Sequence, residues 1–492
     1  MGKPVEQREF TRDDRRRYRE KVHRDLDALA RMLAEDRFAD ESPMTGLEVE
    51  LNLVDAQGDP AMRNAQVLES IADPAFQTEL GRFTIEVNVP PQVLGGRSAE
   101  QLEGALRTTL DSADSRAEAV QARILMVGVL PTLREQDVSS ASISDDSRYA
   151  LLDEQILTAR GEDISLAISG REQVSTLADS IAPEAACTST QLHQQLRPEH
   201  FAAAWNASQA VSGVQLAVGA NSPYLFGRQL WQETRIALFQ QATDTRSEEL
   251  KAQGVRPRVW FGERWVTSIF DLFEENVRYF PALLPVCSDE DPLAVLEAGG
   301  APELSELALL NGTIYRWNRP IYDVTDGSPH LRVENRVLPA GPTVLDTLAN
   351  ALFYYGVTRV LAEEERPVWS RLPFGVAEDN FLRGARDGIE ASVTWPGMGR
   401  LRATDLVLRH LLPLAHEGLA RYGVDPDLRD RYLGVVEGRC AARRNAASWQ
   451  VAQTTLLESR HGMDRASALR AMTGTYRELM HTNDPVHTWP VG

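Results

Sequence analysis

The sequence predicts an α+β fold with a mainly antiparallel sheet, and three features of the chain lead to it. Four short runs, residues 45–54, 82–89, 188–196 and 330–338, read as strands, most of them by alternation of apolar and polar residues. Between and beyond them lie long stretches with apolar residues at helical spacing. No internal repeat or low-complexity linker divides the chain, so strands dispersed among long helices are expected to build one architecture.

In chain order, residues 9–36 form an amphipathic helix, from the spacing of Val22, Leu26, Leu29, Met32 and Leu33. The first strand, 45–54, ends at the turn-rich Asp55-Ala56-Gln57-Gly58-Asp59-Pro60. The second stops at Pro90-Pro91, and a helix over 99–122 and an apolar strand over 124–129 follow. After the third strand, a helix over 201–218 leads into the loop Ala220-Asn221-Ser222-Pro223-Tyr224 and a helix over 231–243. Residues 285–305, rich in Pro, Gly, Asp and Glu, read as a surface excursion. Ile314-Tyr315-Arg316 and residues 330–338 return to strand. Beyond residue 343 the pattern is mostly helical, with helices near 343–365, 403–421 and 441–480.

Composition excludes several classes. With 492 residues, 43% hydrophobic and 25% charged, the chain can bury a sizeable core. That length fits two or more domains or one catalytic body with long insertions, and the motifs favour the second. A net charge of −19, from 71 acidic and 52 basic residues, argues against nonspecific binding to nucleic acid or an anionic membrane. An anionic substrate stays open, because local arginines or a bound cation reverse the field inside a cleft. Cys187, Cys287 and Cys440 are scattered and form no Cys-x-x-Cys pair, so neither a zinc site nor a disulfide framework is expected. The first residues lack the apolar core of a signal peptide and the Ser/Thr of a myristoylation signal, and no run is long enough to span a membrane. The expected location is the cytoplasm.

The chemistry is carried by strands that place polar residues on one face. Side chains at i and i+2 of a strand point the same way. Glu48 and Glu50 therefore project together, as do Glu86 and Asn88, with Glu79 just upstream. Gln191, His193 and Gln195 share a face of the third strand, and His330, Arg332, Glu334 and Arg336 share a face of the fourth. A single Glu-x-Glu strand is most often a solvated sheet face, but four ionisable residues in succession on the last strand repeat the style of the first. The expectation is one cavity lined by all of them. Converging carboxylates repel unless cations lie between them, and Mg²⁺ prefers oxygen ligands and keeps company with nucleotide phosphates. Arginines interleaved with Glu334 suit a phosphate or carboxylate clamp. The stretch 311–320 gathers Arg316 and Arg319 among aromatics, either beside a nucleotide phosphate or as a structural turn. Asn221 either shapes a substrate pocket or caps the following helix. Neither a Walker-type loop nor a Gly-x-Gly-x-x-Gly turn after a strand is present.

Five segments occur in the order found in glutamate–cysteine ligases: Gly46-Leu47-Glu48-Val49-Glu50, residues 78–91, residues 188–193, residues 220–228 and His330-Leu331-Arg332-Val333-Glu334-Asn335-Arg336. The chain resembles that family, and within it the bacterial carboxylate–amine ligase branch, over residues 40–455, including Arg443-Arg444-Asn445-Ala446-Ala447-Ser448-Trp449-Gln450. The resemblance implies a fold similar to glutamine synthetase, a curved antiparallel sheet forming a funnel for ATP, metal and glutamate. It implies metal ligation by Glu48, Glu50, Glu79, Glu86 and Glu334. Gln191 and His193 fall where relatives carry a metal-binding or substrate-binding pair, Gln191 standing where some carry histidine. Arg336 matches an arginine suited to the transferred phosphoryl group, and Arg235 resembles a substrate-carboxylate arginine.

The reaction so implied needs ATP and Mg²⁺, with Mn²⁺ as a substitute. It joins the γ-carboxylate of glutamate to an amine, cysteine favoured, through an acyl phosphate. Arg332 and Arg336 act as preorganised donors to developing charge, and Arg319 and Arg316 border the nucleotide. The expected partners are small molecules only. The expected organisation is a helical segment over 1–40, a catalytic domain over 41–455 and a helical tail over 456–492. Another amine as acceptor, a guanidino-kinase-type phosphotransferase and a non-catalytic nucleotide-binding relative are the competing readings.

Overall fold

A computed structural model describes residues 9–39 and 44–492. The readings of the first eight residues and of a division at residue 40 lie outside the described residues. Seven strands form the central sheet: β1 (Met44–Val54), β2 (Phe76–Thr78), β3 (Thr84–Val93), β4 (Arg123–Leu125), β5 (Thr190–Leu196), β6 (Asn318–Thr325) and β7 (Ser328–Asn335). Their order is β6-β7-β5-β1-β3-β2, and every pairing is antiparallel. The spine is β1. It pairs with β3 along one side, and on the other with β5 through residues 45–49 and β4 through residues 52–54. The sheet curls into a half-barrel, so the α+β reading with a mainly antiparallel, curved sheet stands.

Alternation sets which face is buried. Val49, Leu51, Ile85, Val87 and Leu192 are fully buried in the core, and the acidic residues between them look the other way. The helices Pro198–Gly219 and Val344–Glu363, each almost wholly buried, belong to that core. Tyr355 fixes the second to the sheet by donating its hydroxyl to the carbonyls of His193 (3.1 Å) and Gly46 (3.3 Å). The first helix, Arg12–Ala34, is capped reciprocally by Thr11 and Asp14 and buries Val22, Leu26, Leu29 and Met32.

Several expected elements differ, each for a local reason. The run 124–129 is strand only through Leu125. Its remainder is apolar because it threads through the core, where Met126 O accepts from Tyr476 and Gly128 N donates to Asn221 O. Strand β6 was hidden by Pro320, which an edge strand tolerates. The helix expected near 403–421 carries a widened turn at Val407–Leu411, just before Pro413, which has no N–H to give. The region expected as one helix over 441–480 holds two, Ala446–His461 and Arg465–Thr482, broken at Gly462 (φ 64°) and restarted by the Asp464 cap. A further helix, Pro426–Ala442, precedes them. The helix Ala446–His461 runs across the division expected at residue 455, and Tyr476 and Trp489 join the main core. Among the described residues no helix is long and apolar enough to cross a membrane, and no disulfide joins any of the three cysteines.

Two helix crossings under the sheet depend on glycine. Gly213 meets Gly384, and Gly356 meets Gly418, backbone against backbone. A Cβ on Gly356 would stand 2.5 Å from the Ala415 carbonyl oxygen, so the helices would have to part. Gly356→Ala is expected to lower stability by about 1–3 kcal/mol in denaturant unfolding. A loss below about 0.5 kcal/mol would show that the crossing is slack.

Candidate active site

The register of the sheet arranges the polar face in three rows. In the first, Arg319, Glu334, His193 and Gly46 lie side by side on β6, β7, β5 and β1. Gly46 has no side chain there, which leaves space for the His193 ring; a Cβ would lie 3.3 Å from His193 Cβ. In the second row Gln191, Glu48 and Asn88 are neighbours, and in the third Glu50, Glu86 and Gln77. Glu79 follows β2 and turns back toward Glu50 and Glu86.

Two groups of ligand atoms come together from these rows. Glu48, His193 and Glu334 form one and Glu50, Glu79 and Glu86 the other, each with its atoms within 4.8 Å of one another. A chain of hydrogen bonds joins them. Arg336 donates to Glu334 (3.0 Å) and to the side-chain oxygen of Gln191, and Gln191 donates to Glu50 (2.9 Å). Glu50 also accepts from the backbone N–H of Ser189 (2.5 Å). Glu334 is gripped from its other side by Arg319, through both Nε and a terminal nitrogen. Arg332 donates to Nδ1 of His193 (3.1 Å) and to Asp323 (3.0 Å).

Electrostatics separates the two groups. Burial pushes the Glu334 carboxyl up, but Arg319 and Arg336 outweigh it and hold Glu334 well below the usual range. For Glu48 burial is likewise overcome, by His193 beside it, and its carboxyl lies below the usual range. Among the described residues no guanidinium is hydrogen-bonded to the second group. Burial and then neighbouring carboxylates push Glu79 up to about 8 and Glu86 up to about 10, and burial also raises Glu50. Glu50 and Glu86 are buried and Glu79 is half-buried, and three carboxylates this close stay ionised together only with a cation among them. The donors are hard oxygens, and Gln77 Oε1, on the row beside Glu86, is buried without a hydrogen-bond partner. His193 Nε2 is also unpartnered, 3.1 Å from Glu48 but off the hydrogen-bond line. These residues fit divalent cations of the Mg²⁺ or Mn²⁺ type.

Other expected site residues lie elsewhere. Arg235 is buried and committed: it donates to Glu233 (3.0 Å) and to the backbone carbonyls of Arg336 and Val337. Asn221 is spent on the scaffold, donating to Ala340 O (2.7 Å) and Tyr476 (2.8 Å) and accepting from Gln450 (2.8 Å). The following helix has Glu233, not Asn221, at its N-cap. Arg316 is turned away from the carboxylate face, onto Glu275 and Asn276 (both 3.1 Å) and over the Trp260 ring. The sequence reading missed Gln77, Glu184 and Glu233. Glu184 sits on the short turn Ala182–Ala186, where burial, then Glu50, raise its carboxyl to about 8. Glu233 is fully buried and accepts from Asn221 N, Ser222 Oγ and Arg235. Nothing in Ala-Pro-Glu-Ala-Ala or Gln-Glu-Thr-Arg marks the last two, whereas the register with Glu86 would have found Gln77.

Residues 44–462 match the sequence profile of glutamate-cysteine ligase family 2 (GCS2), and the chain belongs to that family. No curated protein matches the sequence significantly. Among solved structures, the glutamate–cysteine ligase of Francisella tularensis, determined in complex with AMP, is similar with a TM-score of 0.54 at 11% identity. The match covers 93% of this chain and 97% of that one. A bifunctional glutathione synthetase from Pasteurella multocida gives a TM-score of 0.47 at 12% identity over 93% of this chain and 55% of that one. The fold is that of the glutamine synthetase-like ligases.

Because Glu79 and Glu86 hold protons to higher pH folded than unfolded, the native state binds more protons between about pH 4.5 and their folded values, and stability falls as pH rises there. In EDTA, the melting temperature of the wild type should therefore drop more between about pH 6 and about pH 9 than that of Glu79→Gln/Glu86→Gln. Mg²⁺ at the upper end should raise the wild-type value and leave the double variant unmoved. Parallel profiles for the two proteins would remove the acid group as a cation site.

Proposed function

We propose that this family 2 member is an ATP-dependent carbon–nitrogen ligase that joins the γ-carboxylate of glutamate to an amine, with cysteine the favoured acceptor. The observation that carries the proposal is the pair of acid groups set side by side on one sheet and linked through Glu334, Arg336, Gln191 and Glu50. The family, and AMP in the Francisella ligase of the same fold, support a nucleotide substrate.

Glu48, His193 and Glu334 would hold one divalent cation and Glu50, Glu79 and Glu86 another. Bound there, Mg²⁺ or Mn²⁺ supplies charge neutralisation for the polyphosphate. The substrate γ-carboxylate oxygen attacks the γ-phosphorus, the bond to the ADP oxygen breaks, and an acyl phosphate results. The amine nitrogen then attacks the acyl carbon, phosphate leaves, and the amine gives up a proton. Arg336, fixed by Glu334 and Gln191, would offer its remaining N–H groups to developing phosphoryl charge as a preorganised donor. Arg235 holds the backbone of Arg336 and Val337, and so acts on the reaction through Arg336. No protein nucleophile is needed.

The test is phosphate release from MgATP with L-glutamate and a panel of amines including L-cysteine, with mass spectrometry of the products. Release that depends on glutamate and one acceptor, with the matching γ-glutamyl amide, is expected. Turnover without amide formation would instead favour a phosphotransferase. Glu50→Gln and Glu334→Gln should each lower kcat by at least about 10²-fold with the fold intact by circular dichroism. Near-normal turnover in either would overturn the assignment of these groups.

A further inference from the structure

Asn221 grips the stretch of chain that carries Arg336 at both ends. Its side-chain N–H groups donate to the carbonyl of Ala340 (2.7 Å) and to Tyr476 (2.8 Å), and its backbone N–H donates to Glu233 (2.8 Å). Glu233 in turn accepts from Arg235, whose guanidinium holds the carbonyls of Arg336 and Val337. Residues 336–340 are therefore pinned at 336–337 and again at 340, and both pins lead back to one asparagine. Two groups orient that asparagine. Gln450 donates to its Oδ1 (2.8 Å), and the Tyr476 hydroxyl accepts from its Nδ2 while donating to Met126 O (2.7 Å).

The two orienting groups differ in origin. Gln450 lies inside the family match, which ends at residue 462, whereas Tyr476 lies beyond it, on the helix Arg465–Thr482. Trp489, from the tail after that helix, closes over the phenol, its ring perpendicular to Tyr476 at 5.3 Å and to Trp449 at 5.2 Å. The tail is fastened there by Trp449 Nε1, which donates to Pro490 O (2.8 Å), and by Arg444, which donates to Trp489 O (3.0 Å). Packing alone does not ask for a tyrosine, since phenylalanine offers the same apolar faces. A buried hydroxyl is stable only while it is paired, and removing it leaves a donor on Asn221 and an acceptor on Met126 unmatched in the core.

We propose that Tyr476, backed by Trp489, is a positioning residue for Arg336, so that a helix beyond the family match completes the active site from behind. This rests on the reading of Arg336 as the donor to developing phosphoryl charge. Released at Asn221, residues 336–340 let the guanidinium drift from its place, and a displacement of about 1 Å costs on the order of 10²-fold in rate. An interaction that matters chiefly in the transition state is lost from kcat and not from KM.

Tyr476→Phe keeps the ring and removes the hydroxyl. Its kcat for phosphate release is expected to fall at least about tenfold, with KM for MgATP within about twofold of the wild type. In the Arg336→Lys background the same change should alter kcat by less than about twofold, because the group it positions is gone. Hydrogen exchange followed by mass spectrometry reads the position without turnover. Amides of residues 333–341 should exchange at least about tenfold faster in Tyr476→Phe, and those of β1 and β3 should not change. Trp489→Leu, which keeps the hydroxyl and removes its backing, should quicken the same amides. Wild-type kcat in Tyr476→Phe, equal losses in both backgrounds, or faster exchange spread over the whole sheet would overturn the inference and leave the ligase reading standing. A wild type without turnover on any substrate pair would overturn the ligase reading, and the exchange pattern would still decide whether Tyr476 fixes the Arg336 segment.

Discussion

Like-charge repulsion among buried and half-buried carboxylates is the constraint from which the rest of this structure follows. Glu48, Glu50, Glu79, Glu86 and Glu334 are brought onto one face of a curled sheet by strand register, at spacings where they cannot all be ionised unaided. The molecule relieves the repulsion in two ways. At the β7 end guanidinium groups from Arg319 and Arg336 keep Glu334 charged. At the β3 end the acids are left to protons or to a cation. One sheet thus presents a pole of fixed ion pairs and a pole that holds exchangeable protons or a cation, with Arg336 and Gln191 between them.

That arrangement needs a stiff support, and the support is built from polar contacts as much as from apolar packing. Glu233, buried with three donors around it, fixes Arg235, and Arg235 fixes the backbone from which Arg336 springs. Asn221, whose backbone N–H is one of those donors, ties the same loop to Tyr476 and Gln450. A buried charge with its full set of partners resists displacement, because moving it leaves donors unsatisfied. The helix crossings at Gly213 and Gly356 bring the layers beneath the sheet within backbone contact.

Much of this was legible in the chain. The Glu-x-Glu alternation of β1 and the Arg-x-Glu-x-Arg of β7 gave both the strand and the face, because period two ties them together. What stayed hidden depended on tertiary context. Pro320 masked an edge strand, and the apolar run after Leu125 looked like strand because burial, not pairing, made it apolar. Asn221, in a loop, and Arg316, on a short strand, looked like ligand-binding residues because polar and basic side chains normally face solvent or a ligand. Here each is enclosed, and its partners, Tyr476 for one and Glu275 for the other, stand 255 and 41 residues away in sequence. Glu184 and Glu233 had no pattern at all. Their meaning arises only when a turn and a helix start are folded against the sheet.

The bond between Asn221 and Tyr476 bears on the order in which the protein can assemble. A contact that spans 255 residues closes late, since its loop entropy must be met before the contact returns anything. During synthesis from the N-terminus, every strand of the sheet has been made before the helix Arg465–Thr482 exists. The loop behind Arg235 therefore waits for that helix with its buried carboxylate still wet. Sheet formation and site completion are separable events, and a nascent chain can hold its acidic wall in register well before it can use it.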